Sequence, residues 1–294
     1  MITPMQFLFA DRCTVEGFIR ETPEEDIITR NSWLNRLDAI NEDIVELEKN
    51  PAPKRIDLIY SGVPVVGVQG IAATFGLAAT RAFINIVQIV AAQNVNGESQ
   101  RARPAACQLD PLVVNASFNS FSLQEPANPP LTIEGKSVVA LALDKTQQLL
   151  ESTLGTDDEL TEAVNDVDAR AIRKLRTFLE VLRRNDALCA IESESGTLKF
   201  EQPAQIVRSL DRLEARNIHR DEVTLVGAFA GVLPSARDFE FKREDGEILK
   251  GKISRDIPDE RVAAFNEMLG QPVKLRALST RVGQGKARFV LTGE

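Results

Sequence analysis

Histidine chemistry has one residue to work with in this sequence, His219. A two-histidine zinc site cannot be built from it, and any nucleophile activated by a histidine base has to use it. His219 falls between a predicted helix and a predicted strand, among Arg216, Arg220 and Asp221, where a surface histidine with a local hydrogen bond is expected. Cysteine chemistry is equally sparse. Cys13, Cys107 and Cys189 are far apart and odd in number, which supplies neither a Cys-x-x-Cys knuckle nor a disulfide framework. Cys189 stands among apolar residues of a predicted strand and reads as an inert buried thiol; Cys13 and Cys107 are read the same way.

Carboxylates are plentiful, but the pairs Glu24-Glu25, Asp157-Asp158 and Asp259-Glu260 each fall at a predicted helix start, where they complement the helix dipole. Acidic ligands gathered from distant strands leave no spacing signal. A carboxylate- or metal-dependent hydrolase is therefore kept as a third reading, with no residue assigned to catalysis or to a metal and no cofactor implied. Gly283-Gln284-Gly285-Lys286 shares glycines and a lysine with phosphate loops. Ala287 and a predicted strand follow, where such a loop needs Ser or Thr and a helix, so the stretch reads as a hairpin turn.

The basic residues carry more. Lys242, Lys250, Lys252, Lys274, Arg276 and Arg288 occupy outward positions of predicted C-terminal strands, a distribution able to follow a phosphate backbone. A predicted helix over 169–184 exposes Arg170, Arg173 and Lys174 as a second basic surface. Against nucleic acid stand a net charge of −8, acidic residues that balance the basic ones in the same segment, and aromatic side chains that point inward.

The elements that hold these residues start with a predicted strand at the N-terminus. Thr22-Pro23-Glu24-Glu25 then reads as a helix start, followed by a narrow apolar seam of Trp33, Leu37, Ile40, Ile44 and Leu47. That seam admits two occupants, the chain's own domain or a second copy. Residues 56–68 predict two short strands around a turn, and 72–93 an apolar helix. Arg81, Asn85 and Gln88 near its middle argue for burial in a protein core over a membrane span. Residues 94–104 read as an exposed loop and 112–124 as one half-buried strand.

Helices are predicted over 138–154, over 157–167 behind the capping box Thr156 to Glu159, and from Asp168 to Arg184. A hairpin around Gly196 follows, then a helix from Pro203 with Arg208, Arg212 and Arg216 on one face. Three strands, a short helix and two strands close the chain, with Phe239, Phe241, Leu249, Ile253, Val273, Leu275, Phe289 and Leu291 inward. The fold class is α+β: a sheet-plus-helix unit over 1–125, a mainly helical segment with a β-hairpin over 131–220, and a small OB-like or SH3-like β-barrel over 221–294.

A chain of 294 residues with 43% hydrophobic residues can bury real cores, and its cysteine usage suits a reducing cytoplasm. The start of the chain lacks the basic region and long apolar run of a signal peptide. The stretches PVVGVQGIAATF, FEFKREDGEILKGKI and RVGQGKARFVL resemble an uncharacterised family of bacterial hypothetical proteins. The resemblance spans most of the chain. It implies a bacterial origin and a strand-rich C-terminal barrel, and supplies no activity, ligand or catalytic residue. The first expectation is thus a non-enzymatic interaction or regulatory subunit of a bacterial cytoplasmic assembly, such as a defence or stress system, with a protein partner. Nucleic-acid binding by the barrel and basic helix is the second.

Overall fold

The computed structural model describes residues 4–23, 25–49, 53–95, 109–132, 135–254 and 256–293. Cys107, Glu24 and most of the expected 94–104 loop lie outside them, as does the side chain of Leu47. The chain divides into two units, Met1–Lys54 and Arg55–Glu294.

The first unit corrects the expected N-terminal strand. Its helix α1 spans Pro4–Glu21 and is followed by α2, Ile27–Lys49. Leu8, Val15 and Ile19 recur at seven and four, which is a helical seam, and they pack on Trp33, Leu37, Ile40 and Ile44 of α2. Phe18 and Trp33 lie 4.9 Å apart between ring centroids. The described part of the α2 seam is thus taken up by the chain's own α1. The start of α2 also falls later than expected: Asp26 Oδ1 accepts from Thr29 N at 3.2 Å, while Thr22 N closes the end of α1 on the Phe18 carbonyl.

The second unit begins with β1, Arg55–Gly62, followed by the two-residue strands β2 (Val65–Val66) and β3 (Gly70–Ile71) and the long helix α3, Ala73–Val95. Residues 112–124 form a hairpin, β4 (Leu112–Ala116) and β5 (Ser120–Gln124), in place of the single expected strand. After α4 (Val138–Leu154), α5 (Asp157–Asn165) and α6 (Ala169–Arg184) come β6 (Ala187–Ser193), β7 (Gly196–Lys199) and α7 (Pro203–Arg212). Helix α7 ends before Arg216, which leaves the expected stripe of arginines and pairs with Glu214 at 2.6 Å.

One antiparallel sheet joins these strands in the order β4-β5-β1-β6-β7. Its pairing of β1 with both β5 and β6 runs across the boundary expected at 125–131. Along β1, Ile56, Leu58 and Tyr60 are buried, whereas Asp57 and Ile59 point to a half-buried opposite face. Helices α3, α4 and α6 cover the buried face, with Phe83 and Phe178 edge to face at 5.8 Å between centroids. By length and composition α3 could cross a membrane, but here Phe75, Ala79, Phe83, Ile86, Val87 and Val90 put it in the core.

Two of the three expected helix starts are capped as read, the Thr156–Glu159 box opening α5 and Asp168 capping α6; Ser137 caps α4.

The chain ends in a closed barrel of β8 (Ile218–Leu233), β9 (Asp238–Arg243), β10 (Ile248–Ile253), β11 (Pro272–Val282) and β12 (Arg288–Gly293). Helix α8, Asp259–Ala264, lies in the chain between β10 and β11. Counted from β8, the strands run 1-2-3-5-4 around the barrel, with the third and fifth parallel and the rest antiparallel. This is an OB-type Greek-key barrel, one of the two forms expected. Phe239, Phe241, Leu249, Ile253, Leu275 and Leu291 are buried, and Val273 and Phe289 pack against them partly buried. Phe229 is central: stacked on Phe265 at 5.2 Å, it meets Phe239 and Phe241 edge to face.

Candidate interaction surfaces

Three of the six basic residues singled out on the barrel face a carboxylate. Lys250 Nζ lies 2.7 Å from Glu240, Lys252 Nζ 2.7 Å from Asp166, and Arg288 Nη2 3.1 Å from Glu162. Arg276 is engaged within the fold. Lys242 and Lys274 are exposed, with no ion pair among the described residues. On α6, Arg170 pairs with Asp168 at 2.9 Å, while Arg173 and Lys174 are exposed and unpaired among the described residues.

Helix α5 and its C-cap supply two of these carboxylates, Glu162 and Asp166. Its acidic first turn does more than satisfy the helix dipole: Asp157 Oδ2 accepts from Gln284 N at 3.2 Å and Asp158 Oδ1 from Lys286 N at 2.6 Å. The Gly283–Lys286 segment is the hairpin turn expected, and it serves as a socket for α5. A Cβ at Gly283 would sit 2.6 Å from Asp157 Oδ2, and one at Gly285 2.7 Å from the Asp157 carbonyl oxygen, so both positions need glycine for close approach. Buried Thr161 donates to the Asp157 carbonyl at 2.7 Å and accepts from Val282 N at 3.0 Å.

Both ends of α5 are fixed by arginine as well. Arg212 Nη1 donates to the carbonyls of Thr153 and Gly155 at 2.6 and 2.9 Å, and its Nη2 to Asp157 Oδ1 at 2.9 Å. Arg220, whose own pKa burial pushes down, donates to the Val164 and Val167 carbonyls at the other end. A cleft of about 500 Å³ remains between α5 and the barrel, lined by Phe239 and Phe289 and by the paired Lys252, Asp166, Arg288 and Glu162. Its cations are opposed by anions, which leaves little field for a phosphate chain.

The other chemically able residues stand apart. His219 is exposed at the start of β8, and its side chain has no hydrogen-bond partner among the described residues. Cys189 is buried, and burial pushes its thiol far above the ordinary range, as the sequence suggested. Cys13 departs from expectation and is exposed. Burial likewise raises the pKa of Tyr60, whose hydroxyl lies 3.4 Å from Thr80 Oγ1. Among the described residues no group of three or more His, Cys, Asp or Glu side chains is placed to hold a metal ion.

A surface that sequence reasoning passed over lies at one end of the five-stranded sheet. Val63, Val66, Val68, Leu77 and Phe118 are all exposed, Val68 at 84%. Tyr60 N donates to the Asn119 carbonyl at 2.8 Å, which holds the Phe118 turn against the end of β1 from which the valines project. Gly76, next to Leu77, lies against the Phe121 ring. Residues 62–80 and 111–124, which form this end and the neighbouring edge, contain no charged residue, although 27% of the chain is charged. The missing charge was the signal available in the sequence.

Comparison with known protein families, curated proteins and solved structures finds no match to this chain. The class is therefore defined by architecture alone, an α+β protein that carries an OB-type barrel.

Proposed function

We propose that this chain is a non-enzymatic interaction or regulatory subunit of a cytoplasmic assembly, receiving a protein partner on the apolar end of its sheet. One observation carries the reading: five large apolar side chains, Val63, Val66, Val68, Leu77 and Phe118, stand exposed in charge-free segments of an otherwise charge-rich chain. Clusters of this kind, rimmed by polar surface, mark places where proteins dock. The buried thiol of Cys189 suits a reducing compartment. Nucleic-acid binding is the weaker reading, because Lys250, Lys252 and Arg288 are occupied by Glu240, Asp166 and Glu162.

The test is a photo-reactive amino acid placed at Val68 in the protein's own cells. Cross-linking to one defined protein, lost when Phe118→Ser and Val66→Lys are introduced together, supports the reading. No adduct, or an adduct indifferent to those changes, removes it.

A further inference from the structure

The cleft between α5 and the barrel contains an open position that packing within the fold does not account for. Glycine in a strand interior weakens the strand, and it marks either crowding or a place where something else approaches. Gly227 and Gly251 mark crowding: a Cβ at the first would run into the Lys242 carbonyl oxygen, and one at the second into the Phe289 carbonyl oxygen. Gly231 is different. It lines the cleft beside the register shift of β8, opposite the outward Glu240, and a Cβ there would meet nothing within 4 Å. Its φ is not positive, so no turn requires glycine either.

The charges around this open position do not balance. Lys250 answers Glu240, Lys252 answers Asp166 and Arg288 answers Glu162. Asp238 lines the same cleft, half-buried at the start of β9, and has no ion pair among the described residues. One carboxylate is thus left over. Asn165, the last residue of α5, adds an acceptor, because its buried Oδ1 lacks a hydrogen-bond donor. Leu233, 61% exposed, and the half-buried Phe289 give the cleft apolar wall.

We propose that the cleft binds a small organic cation, an amine with a flat apolar body, its ammonium held by Asp238 and its body lying over Gly231 against Leu233 and Phe289. The charge balance selects the cation. An anionic ligand would meet Asp238 and find each lining cation already paired, and a neutral one would leave Asp238 unanswered. An ammonium brings the missing positive charge and three donors to a wall that offers acceptors. The volume of about 500 Å³ is ample for such a molecule. This site is separate from the sheet-end surface and does not rest on the partner reading.

The test titrates the full chain with three probes that share one ring, benzylamine, benzyl alcohol and benzoate, followed by saturation-transfer NMR. Benzylamine should saturate with a Kd of roughly 1 mM, the range for a ligand of so few atoms. It should bind at least tenfold tighter than benzyl alcohol, with no benzoate bound. Gly231→Leu, which fills the open position with a side chain that a strand accepts, should abolish the binding, and Asp238→Asn should remove the preference for amine over alcohol. No saturation by about 20 mM, meaning that the cleft holds water only, overturns the proposal. So does benzoate or benzyl alcohol binding as well as the amine, or amine binding unchanged in Gly231→Leu. Should Gly231→Leu lower the melting temperature seen by circular dichroism, Asp238→Asn decides alone: an amine preference retained there overturns the assignment.

Discussion

The chain contains two five-stranded sheets, and they end in opposite ways. The barrel closes when β10 and β12 pair in parallel, so it has no edge, and its aromatic residues turn inward around Phe229. The sheet built on β1 stays open, covered by helices on one face and terminated by β7 and by the uncharged β4. Closure satisfies a sheet from within, whereas an open sheet has to defend its edges or use them. The β7 edge is short and carries Lys199, whereas the β4 edge is uncharged and carries a register shift at Val114. The barrel thus reads as self-contained structure, and the proposed partner surface falls on the sheet.

The sharpest way to break this contrast is at the barrel centre. Phe229→Ala should cost about 3–5 kcal/mol in chemical denaturation, because it removes a fully buried ring touching three others. A loss under about 1 kcal/mol would mean that the barrel is not held from within. Next in size is the link between the two sheets. Arg212→Ala removes donors to three α4-end carbonyls and to Asp157, whose other oxygen holds the barrel turn, and should cost about 2–3 kcal/mol. Calorimetry should also show unfolding spread over a wider temperature range than in the parent chain, as barrel and sheet become less coupled.

A smaller effect concerns the helices over the sheet. The Arg170 guanidinium, with the Arg170 backbone amide, holds the Asp168 carboxyl below its usual range, against a partial opposing effect of burial. A depressed folded pKa contributes stability that is complete above the unfolded value of about 3.9 and lost as pH falls through the folded value. Asp168→Asn should therefore flatten the fall in stability below about pH 4 and leave the slope near pH 7 unchanged. Smallest of all, Val68→Lys should change stability by no more than about 0.5 kcal/mol, since the side chain is almost wholly in water. A large loss there would show that the sheet end is structural.

What could be read from the sequence was whatever is local. The caps at Thr156 and Asp168 and the alternation in β9 to β12 act within a few residues, so they survive in a linear reading. The N-terminal helix was obscured because Phe7, Phe9 and Phe18 scatter apolar character outside its Leu8–Val15–Ile19 seam. The β4–β5 hairpin was missed because Ser117, Phe118 and Asn119 turn the chain without a glycine or proline. As for the candidate site, sequence placed the barrel lysines on its outer strands. It could not show that Asp166 and Glu162 answer Lys252 and Arg288 across 86 and 126 positions, because such pairs leave no spacing.

Strand β12 has a bearing on how gene lesions would act. The six residues from Arg288 supply the parallel seam that shuts the barrel, and Arg288 itself reaches the acidic helix laid over it. A nonsense codon a few triplets upstream of Leu291 would therefore not merely shorten the product. It would leave β10 and β11 with bare flanks and β-rich surface open to aggregation, so that such a lesion would act as a null allele.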